Sequence, residues 1–292
     1  MYELIKAGRS TYYMDCPSRS GIYLINDKDI CIIDGGSDKS SAKKLSAHIE
    51  EQGWKPVLLL NTHSHADHDG GNAFLQQKYN IPVTCSNPDA MLIENTLIQP
   101  TTLYGAYPNK DMLGKFFYAQ PSKVTPITEI TLPEGLTYET FPGHSPNQTA
   151  YKTRDNMWFI GDVLTPQSTI EKYHISYLYN IEDHLNSLEK LKGIDGSLFI
   201  PSHGPVMEDT ADIIEINIKH VNDILGFLTE KCKTPHSVDE LIKAFFDEKG
   251  MKLNLSQHLL CGATFRSYMT YLYNNDTVGV VFDDNIMRYI LK

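Results

Sequence analysis

The sequence predicts an α/β (α+β) protein: a strand-rich domain with antiparallel hairpins, followed by a small helical domain, in 292 residues. Three observations carry this. Short β-rich runs alternate with amphipathic helical stretches over the first part of the chain. Two pairs of these runs are split by turn sequences, Asn26-Asp-Lys-Asp29 and Arg154-Asp-Asn156, of the hairpin type. Past Pro205 the apolar spacing becomes helical. The length fits two domains of about 100–200 residues each.

Ile22–Ile25 and Ile30–Ile33 form the first predicted hairpin. Ser37–Gln52 places Ala42, Leu45 and Ile49 on one helical face, with Gly53 as its stop. Val57–Leu60 is a continuous apolar run, as expected of a strand buried on both faces. Ile81–Cys85, Leu136–Thr140, Thr149–Thr153, Met157–Ile160 and Leu198–Ile200 read as further strands, and Asn180–Lys192 as a helix carrying Leu185, Leu188 and Leu191. Ile214, Ile218, Val221, Leu225 and Leu228 form one stripe of a long helix. Ser237 and Glu240 make a capping box that opens a second helix ending near Gly250, and Asn254–Tyr273 is a third. Val278–Phe282 and Ile286–Leu291 close the chain as a hairpin around Asp283-Asp284-Asn285. Three helices and a hairpin have a winged-helix outline. The boundary falls near 207–212, giving domains 1–208 and 209–292. The segment between Cys85 and Ile127, with Tyr104, Tyr107, Phe116, Phe117 and Tyr118, is long for a loop. It either hides a helix or forms a lid.

Composition narrows the class. Apolar residues at 41% suffice for a core. No apolar run approaches the ~18–20 residues of a membrane span, and the first residues carry no signal-peptide pattern. Five scattered cysteines without CxxC spacing fit a reducing compartment, so a cytoplasmic location is expected. The net charge of −10 divides into 17 basic and 23 acidic residues in 1–205, and 9 and 13 in 206–292. Neither part has the basic excess that nucleic acid demands, so the expected partner is a small-molecule substrate.

The chemistry is concentrated in Asn61-Thr-His-Ser-His-Ala-Asp-His-Asp-Gly-Gly71. His63, His65, Asp67 and His68 are the ligand types that Zn²⁺ prefers. The pattern H-x-H-x-D-H arises by chance about once in a thousand such chains. A loop is the expected support, since a helix would splay alternate residues, and Gly70-Gly71 would let the backbone wrap an ion. Further candidates sit where strands should end: His144 in Pro142-Gly-His-Ser145, Asp162 after Met157–Gly161, and His203 in Pro201-Ser-His-Gly-Pro205.

These motifs, with the earlier Ile32-Ile-Asp-Gly-Gly36, resemble the metallo-β-lactamase-fold superfamily of metallohydrolases in order and spacing. The resemblance runs from about 20 to 205 and is specific for fold and metal site rather than substrate. It implies an αββα sandwich with two zinc ions in a groove at one edge. His63, His65 and His144 would form one site; Asp67, His68 and His203 the other; and Asp162 would bridge them. Asp34 would stand behind the ligands and hold their loop by hydrogen bonds. The implied activity is hydrolysis of an ester, thioester, lactone, amide or phosphodiester by a bridging hydroxide, with Asp67 also orienting the nucleophile or relaying its proton.

The spacing from Asp162 to His203 resembles the subgroup with a winged-helix-like extension. That extension is expected to pack on the core or to support a homodimer. Glyoxalase II-type members use a basic cluster to hold glutathione, and no such cluster is evident. His174, Tyr177 and Tyr179, between Asp162 and the helix at 180, are candidate substrate contacts. Two other classes remain open. The same ligands could hold iron in a persulfide dioxygenase-like oxidoreductase. A nucleic-acid-binding winged helix beside a vestigial metal domain is the third, and the −4 balance of 206–292 weighs against it.

Overall fold

The structure, a computed structural model, describes residues 2–292. Strands β1 (Glu3–Lys6), β2 (Thr11–Asp15), β3 (Ser20–Leu24) and β4 (Asp29–Ile33) pair antiparallel in sequence order. In the turn between β3 and β4, Asn26 Oδ1 accepts from the Lys28 and Asp29 N–H groups at 2.9 and 2.8 Å. The side chain thus copies a backbone turn, which is why Asn favours this position. Helix α1 (Lys39–Glu51) begins where the Asp38 carboxylate accepts from the Ser40 and Ser41 N–H groups, satisfying donors left over at the helix start.

Next come β5 (Lys55–Leu60), the single turn α2 (Ala66–Asp69), α3 (Asn72–Tyr79), β6 (Val83–Cys85), α4 (Asp89–Glu94), α5 (Ile98–Tyr104) and β7 (Val124–Pro126). From β4 to β7 the neighbours are parallel, which completes a seven-stranded sheet in sequence order. A second, four-stranded sheet holds β8 (Thr137–Thr140), β9 (Thr149–Lys152), β10 (Met157–Gly161) and, after α6 (Gln167–Tyr173) and α7 (Ile181–Lys192), β11 (Leu198–Pro201).

Strand periodicity distributes the side chains among four layers. Tyr23, Cys31, Ile33, Leu58 and Leu60 of the first sheet meet Tyr151, Phe159 and Ile200 of the second. Ile22, Ile30, Ile32 and Leu59, on the opposite face, pack on Ala42, Leu45 and Ile49 of α1 and Leu75 of α3. Trp158, Ile160 and Phe199 pack on Leu188 and Leu191 of α7. The order helix, sheet, sheet, helix is the αββα sandwich expected from the sequence. Leu45 is fully buried, and truncating such a residue to Ala costs about 2–5 kcal/mol.

The chain ends in α8 (Ala211–Lys231), α9 (Val238–Glu248), α10 (Leu255–Asn274) and the hairpin β12 (Val278–Asp283) and β13 (Ile286–Leu291). Both α9 and α10 open with capping boxes, Ser237 with Glu240 and Asn254 with Gln257. The predicted box at Ser237 is therefore present, and Arg288 of β13 pairs with the same Glu240. Helix α8 belongs to two cores: Ile214 packs with the second sheet, while Val221, Ile224 and Leu228 pack with α9 and α10. Ile175 and Leu178, from the connection between α6 and α7, and Ile181, the first residue of α7, enter that same C-terminal core. Asn217 tightens the junction by accepting from the Thr165 N–H at 2.9 Å and donating to the Thr165 carbonyl at 3.0 Å.

All five cysteines are buried and free. Among the described residues, no helix is long and apolar enough to cross a membrane.

Two histidines outside the metal motifs set a pH dependence. Burial pushes His184 of α7 down to about 3 and His220 of α8 down to about 4. Unfolded, each would take up a proton near pH 6.5. Between those values the unfolded chain binds more protons, so stability is full above about pH 6.5 and falls with pH, by at most about 1.4 kcal/mol per unit for each histidine. Thermal denaturation from pH 7 to 4 should show this fall, and a His184→Gln/His220→Gln variant should show a shallower one.

Candidate metal centre

The candidate ligands come from separate strand ends that the two sheets bring to one edge. His63 follows β5, His144 follows β8, Asp162 follows β10 and His203 follows β11. His65 precedes α2, and Asp67 and His68 lie within it. The loop expected from the sequence is therefore half a helical turn. Adjacent helical residues are about 100° apart, so Asp67 and His68 face the cluster together, which alternate residues would not. Gly70 and Gly71 also differ from expectation. A Cβ on Gly70 would lie 2.4 Å from the Ser37 carbonyl oxygen, and one on Gly71 would lie 2.1 Å from that of Gly35. These glycines let α2 pack on the Gly35–Ser37 turn; they do not wrap an ion.

Seven side chains converge in three overlapping groups: His63, His65 and His144; His63, His68 and Asp162; and Asp67, His68 and His203. Within each, the candidate ligand atoms lie within 4.8 Å of one another. His65 Nδ1 is 2.9 Å from both His63 Nε2 and His144 Nε2. One ring nitrogen carries at most one proton, so this triangle cannot satisfy all its lone pairs by hydrogen bonds. Across the cluster, His203 Nε2 is 3.0 Å from Asp67 Oδ2, and His68, His144 and His203 approach Asp162 Oδ2 at 3.5, 3.5 and 3.6 Å.

The outer nitrogens are tied down. His144 Nδ1 lies 3.1 Å from the Tyr177 carbonyl, His203 Nδ1 2.6 Å from that of Pro17, and His68 Nδ1 3.0 Å from Asp34 Oδ2. Each partner only accepts, so each of these nitrogens carries a proton and turns Nε2 inward. Thr62 Oγ1 donates to Asp34 Oδ2 at 2.8 Å and therefore accepts from His63 Nδ1 at 3.0 Å. Asp34 thereby fixes His63 through Thr62 and His68 directly, the role expected of it behind the ligands.

Fit to a cation follows from what these residues lack. His68 Nε2 and Asp162 Oδ1 are buried with no hydrogen-bond partner, although buried polar atoms are normally satisfied. Both belong to the converging set, and both are ligand atoms for a borderline cation. The electrostatics divide the cluster in two. Burial, reinforced by neighbouring histidines, lowers His63 well below its ordinary value and His65 to about 3; burial also lowers His144. The Asp162 carboxylate, with the Asp67 hydrogen bond, raises His203 to about 9 against the effect of burial. Burial would push His68 down, but Asp67, Asp162 and Asp34 together hold it well above its ordinary value. Burial would likewise raise Asp162, yet the charges of His203 and His68 hold it well below the carboxylate range. One half offers three neutral imidazoles, the other a carboxylate-rich pocket.

A cavity of about 560 Å³ opens beside the cluster, with His65, Asp67, His144, Asp162 and His203 in its lining. Of the three candidate substrate contacts, Tyr177 lines it, whereas His174 and Tyr179 do not. His174 closes α6 in the left-handed conformation, and Tyr179 is 55% exposed. The neighbouring Tyr173 lines the cavity in their place. The long 86–126 segment contains α4 and α5 and lends Gln99, Leu103, Phe116 and Phe117 to the wall. The C-terminal helices also do more than pack on the core, because Phe246, Leu260 and Thr264 line the far side.

Asp89 was not singled out from the sequence. It accepts from Ser64 N–H and O–H through Oδ1 at 3.0 and 2.8 Å and from Asn147 N–H through Oδ2 at 2.8 Å. It therefore ties the His63–His65 loop to the His144 loop. The available signal was a carboxylate opening a helix just past a strand end, at Ser86-Asn-Pro-Asp89.

Comparison with known proteins agrees with this geometry. The profile of the metallo-beta-lactamase superfamily matches residues 17–203. The chain belongs to that superfamily. Among superfamily relatives, a probable metallo-hydrolase of Bacillus subtilis is 26% identical over 199 residues, 66% of this chain and 85% of its own length. A hydroxyacylglutathione hydrolase of Haemophilus influenzae is 28% identical over 143 residues, 48% of this chain and 63% of that enzyme. Among solved structures, a beta-lactamase domain protein from Burkholderia ambifaria superposes with a TM-score of 0.81 at 16% identity, covering 99% of this chain and 94% of that one. A metallo-beta-lactamase family protein from Thermus thermophilus gives 0.72 at 16% identity, covering 99% and 98%. At such identities the structural likeness speaks to the fold, and here it extends through the C-terminal helices.

Asp34→Asn should uncouple the metal half from its scaffold. The new amide N–H would face a proton on Thr62 or His68, and His68 would relieve the clash by moving its proton to Nε2. Loss of such an outer partner lowers metal affinity about 10–100-fold. Competition with a chromophoric chelator should show that loss, while circular dichroism stays native.

Proposed function

We propose that this superfamily member is a dinuclear zinc hydrolase acting on an ester, thioester or lactone. His63, His65 and His144 would hold one ion and Asp67, His68 and His203 the other, with the Asp162 carboxylate between them. The observation that carries this reading is the convergence of seven ligand-type side chains, with His68 Nε2 and Asp162 Oδ1 left without partners. When bound, the metal pair supplies hydroxide at neutral pH and an electrophile for the substrate oxygen.

The chain's own residues do the rest. His144 and His203, oriented by the Tyr177 and Pro17 carbonyls, keep Nε2 turned inward. Burial alone would raise Asp67, but the nearby His68 charge and the His203 hydrogen bond hold it well below the carboxylate range, so its carboxylate stays ionised and can orient the nucleophile by accepting its hydrogen bond. Burial pushes the Tyr177 phenol up to about 12. It therefore stays protonated at neutral pH and can donate to a substrate carbonyl in the cavity it lines. Apolar walls exclude bulk water and strengthen these electrostatic contacts.

Elemental analysis of protein purified without chelator or added metal is the first test. Close to two zinc per chain supports the proposal; one iron per chain overturns it in favour of dioxygenase chemistry. His144→Ala and His203→Ala, with native circular dichroism, should each lose hydrolysis by more than the ~10–100-fold that removal of an outer partner costs. Full activity and metal content in Asp162→Ala would remove that residue from its bridging role.

A further inference from the structure

The cavity's size and chemistry point past the metal edge. At about 560 Å³ it falls within the ~300–1,000 Å³ range of sites for drug-sized ligands and far exceeds the needs of an acetyl group. Away from the cluster its walls are mostly apolar, with Leu103, Phe116 and Phe117 from the segment around α5 and Phe246, Leu253 and Leu260 from the C-terminal part, and the polar residues among them, such as Gln99, Ser256 and Thr264, are uncharged. No lysine or arginine is among the lining residues. Asn254 and Gln257 line it too, but their carbonyl oxygens cap α10, each accepting the other's backbone N–H at 2.9 and 3.0 Å. What they leave for a ligand is uncharged.

An anionic group seated in those walls would lose its hydration without gaining a cationic partner, which is strongly unfavourable. A hydrocarbon chain would gain with every methylene it buried. The segment that supplies one wall also carries exposed Leu97, Ile98 and Tyr104 beside its lining residues Gln99 and Leu103. An apolar approach therefore leads to an apolar site.

Building on the hydrolase reading above, we propose that the substrate is a neutral ester, thioester or lactone with a medium-length apolar acyl chain. The chain lies between the α5 segment and α9–α10, with the carbonyl at the metal edge. The C-terminal helices are then the specificity wall, and anionic conjugates such as glutathione thioesters are poor substrates despite the likeness of the metal domain to a hydroxyacylglutathione hydrolase.

The test is calorimetric titration of the full chain, as purified, with the N-methyl amides of acetic, hexanoic and decanoic acid. In parallel, kcat/KM is measured for the matching 4-nitrophenyl esters and for a hydroxyacyl thioester of glutathione. Affinity is expected to rise up to about fourfold per added methylene until the cavity is filled, with a negative heat-capacity change. Leu260→Glu should flatten that dependence, and Leu103→Glu on the opposite wall repeats the test where the first variant fails to fold. Affinity that does not change from acetyl to decanoyl overturns the proposal, as does preferred turnover of the glutathione thioester. Chain-length-dependent amide binding without turnover of any ester supports the apolar site and strikes the hydrolase reading instead.

Discussion

The Asp34 carboxylate is the interaction on which the metal edge depends. It stands just past β4 with φ at +60°, in the left-handed region that suits a short polar residue better than a branched one. Its two oxygens accept from the Thr62 N–H and O–H at 2.8 Å each and lie 3.0 Å from His68 Nδ1. A buried carboxylate satisfied in this way cannot move without leaving donors unpaired, at about 1–3 kcal/mol for each. Asp34 therefore links the ends of β4 and β5 and settles the protons of two candidate ligands. Asn61 and Asn72 brace the same turn, Asn72 Nδ2 donating to Asn61 Oδ1 at 2.6 Å.

From that anchor the cluster divides by charge. Its histidine-only half, with His63 buried and His65 and His144 half-buried, is neutral because desolvation and mutual repulsion both disfavour protonation. Its carboxylate half holds Asp67, Asp162, His68 and His203 as an alternating set of charges. Without a cation, protons on His68 and His203 balance the carboxylates. A divalent ion bound there would take over that role, so its uptake and proton release must be coupled. Asp162 touches both halves, its Oδ2 lying 3.5 Å from His144 Nε2 and 3.5 Å from His68 Nε2, while its Oδ1 has no partner.

The sequence made the metal edge legible because the information there is local. Each candidate ligand follows a strand end by one to eight residues, and strands announce themselves through β-branched runs and turn residues. The capping box at Ser237 was equally local, and the structure adds one of the same kind at Asn254 that was not read from the sequence. What failed was tertiary. Asp67 and His68 on a helical turn, Gly70 and Gly71 against the Gly35–Ser37 turn, and Asp89 bridging two loops all depend on what packs opposite. His174 and Tyr179 lie on either side of the lining residues Ile175, Ser176 and Tyr177, in an irregular segment whose turns leave both outside the cavity wall. β1 and β2 left no reading at all, since their side chains are only partly apolar and their partner strands supply the order.

The same distinction separates chemistry from selectivity. The superfamily profile ends at residue 203, the last candidate ligand. Much of the wall facing the cluster comes from 246–264, beyond that limit, and from the α5 segment within a long connection. Helix α8 and the Asn217 clamp to Thr165 fix the C-terminal core against the metal edge, so this wall is held at a set distance from the ligands. Relatives that share the strand ends must share the capacity to hold a cation. They share a substrate only where they also rebuild this wall. Likeness over only about half of the chain, as with the hydroxyacylglutathione hydrolase at 48%, thus constrains the reaction far more than the molecule on which it is performed.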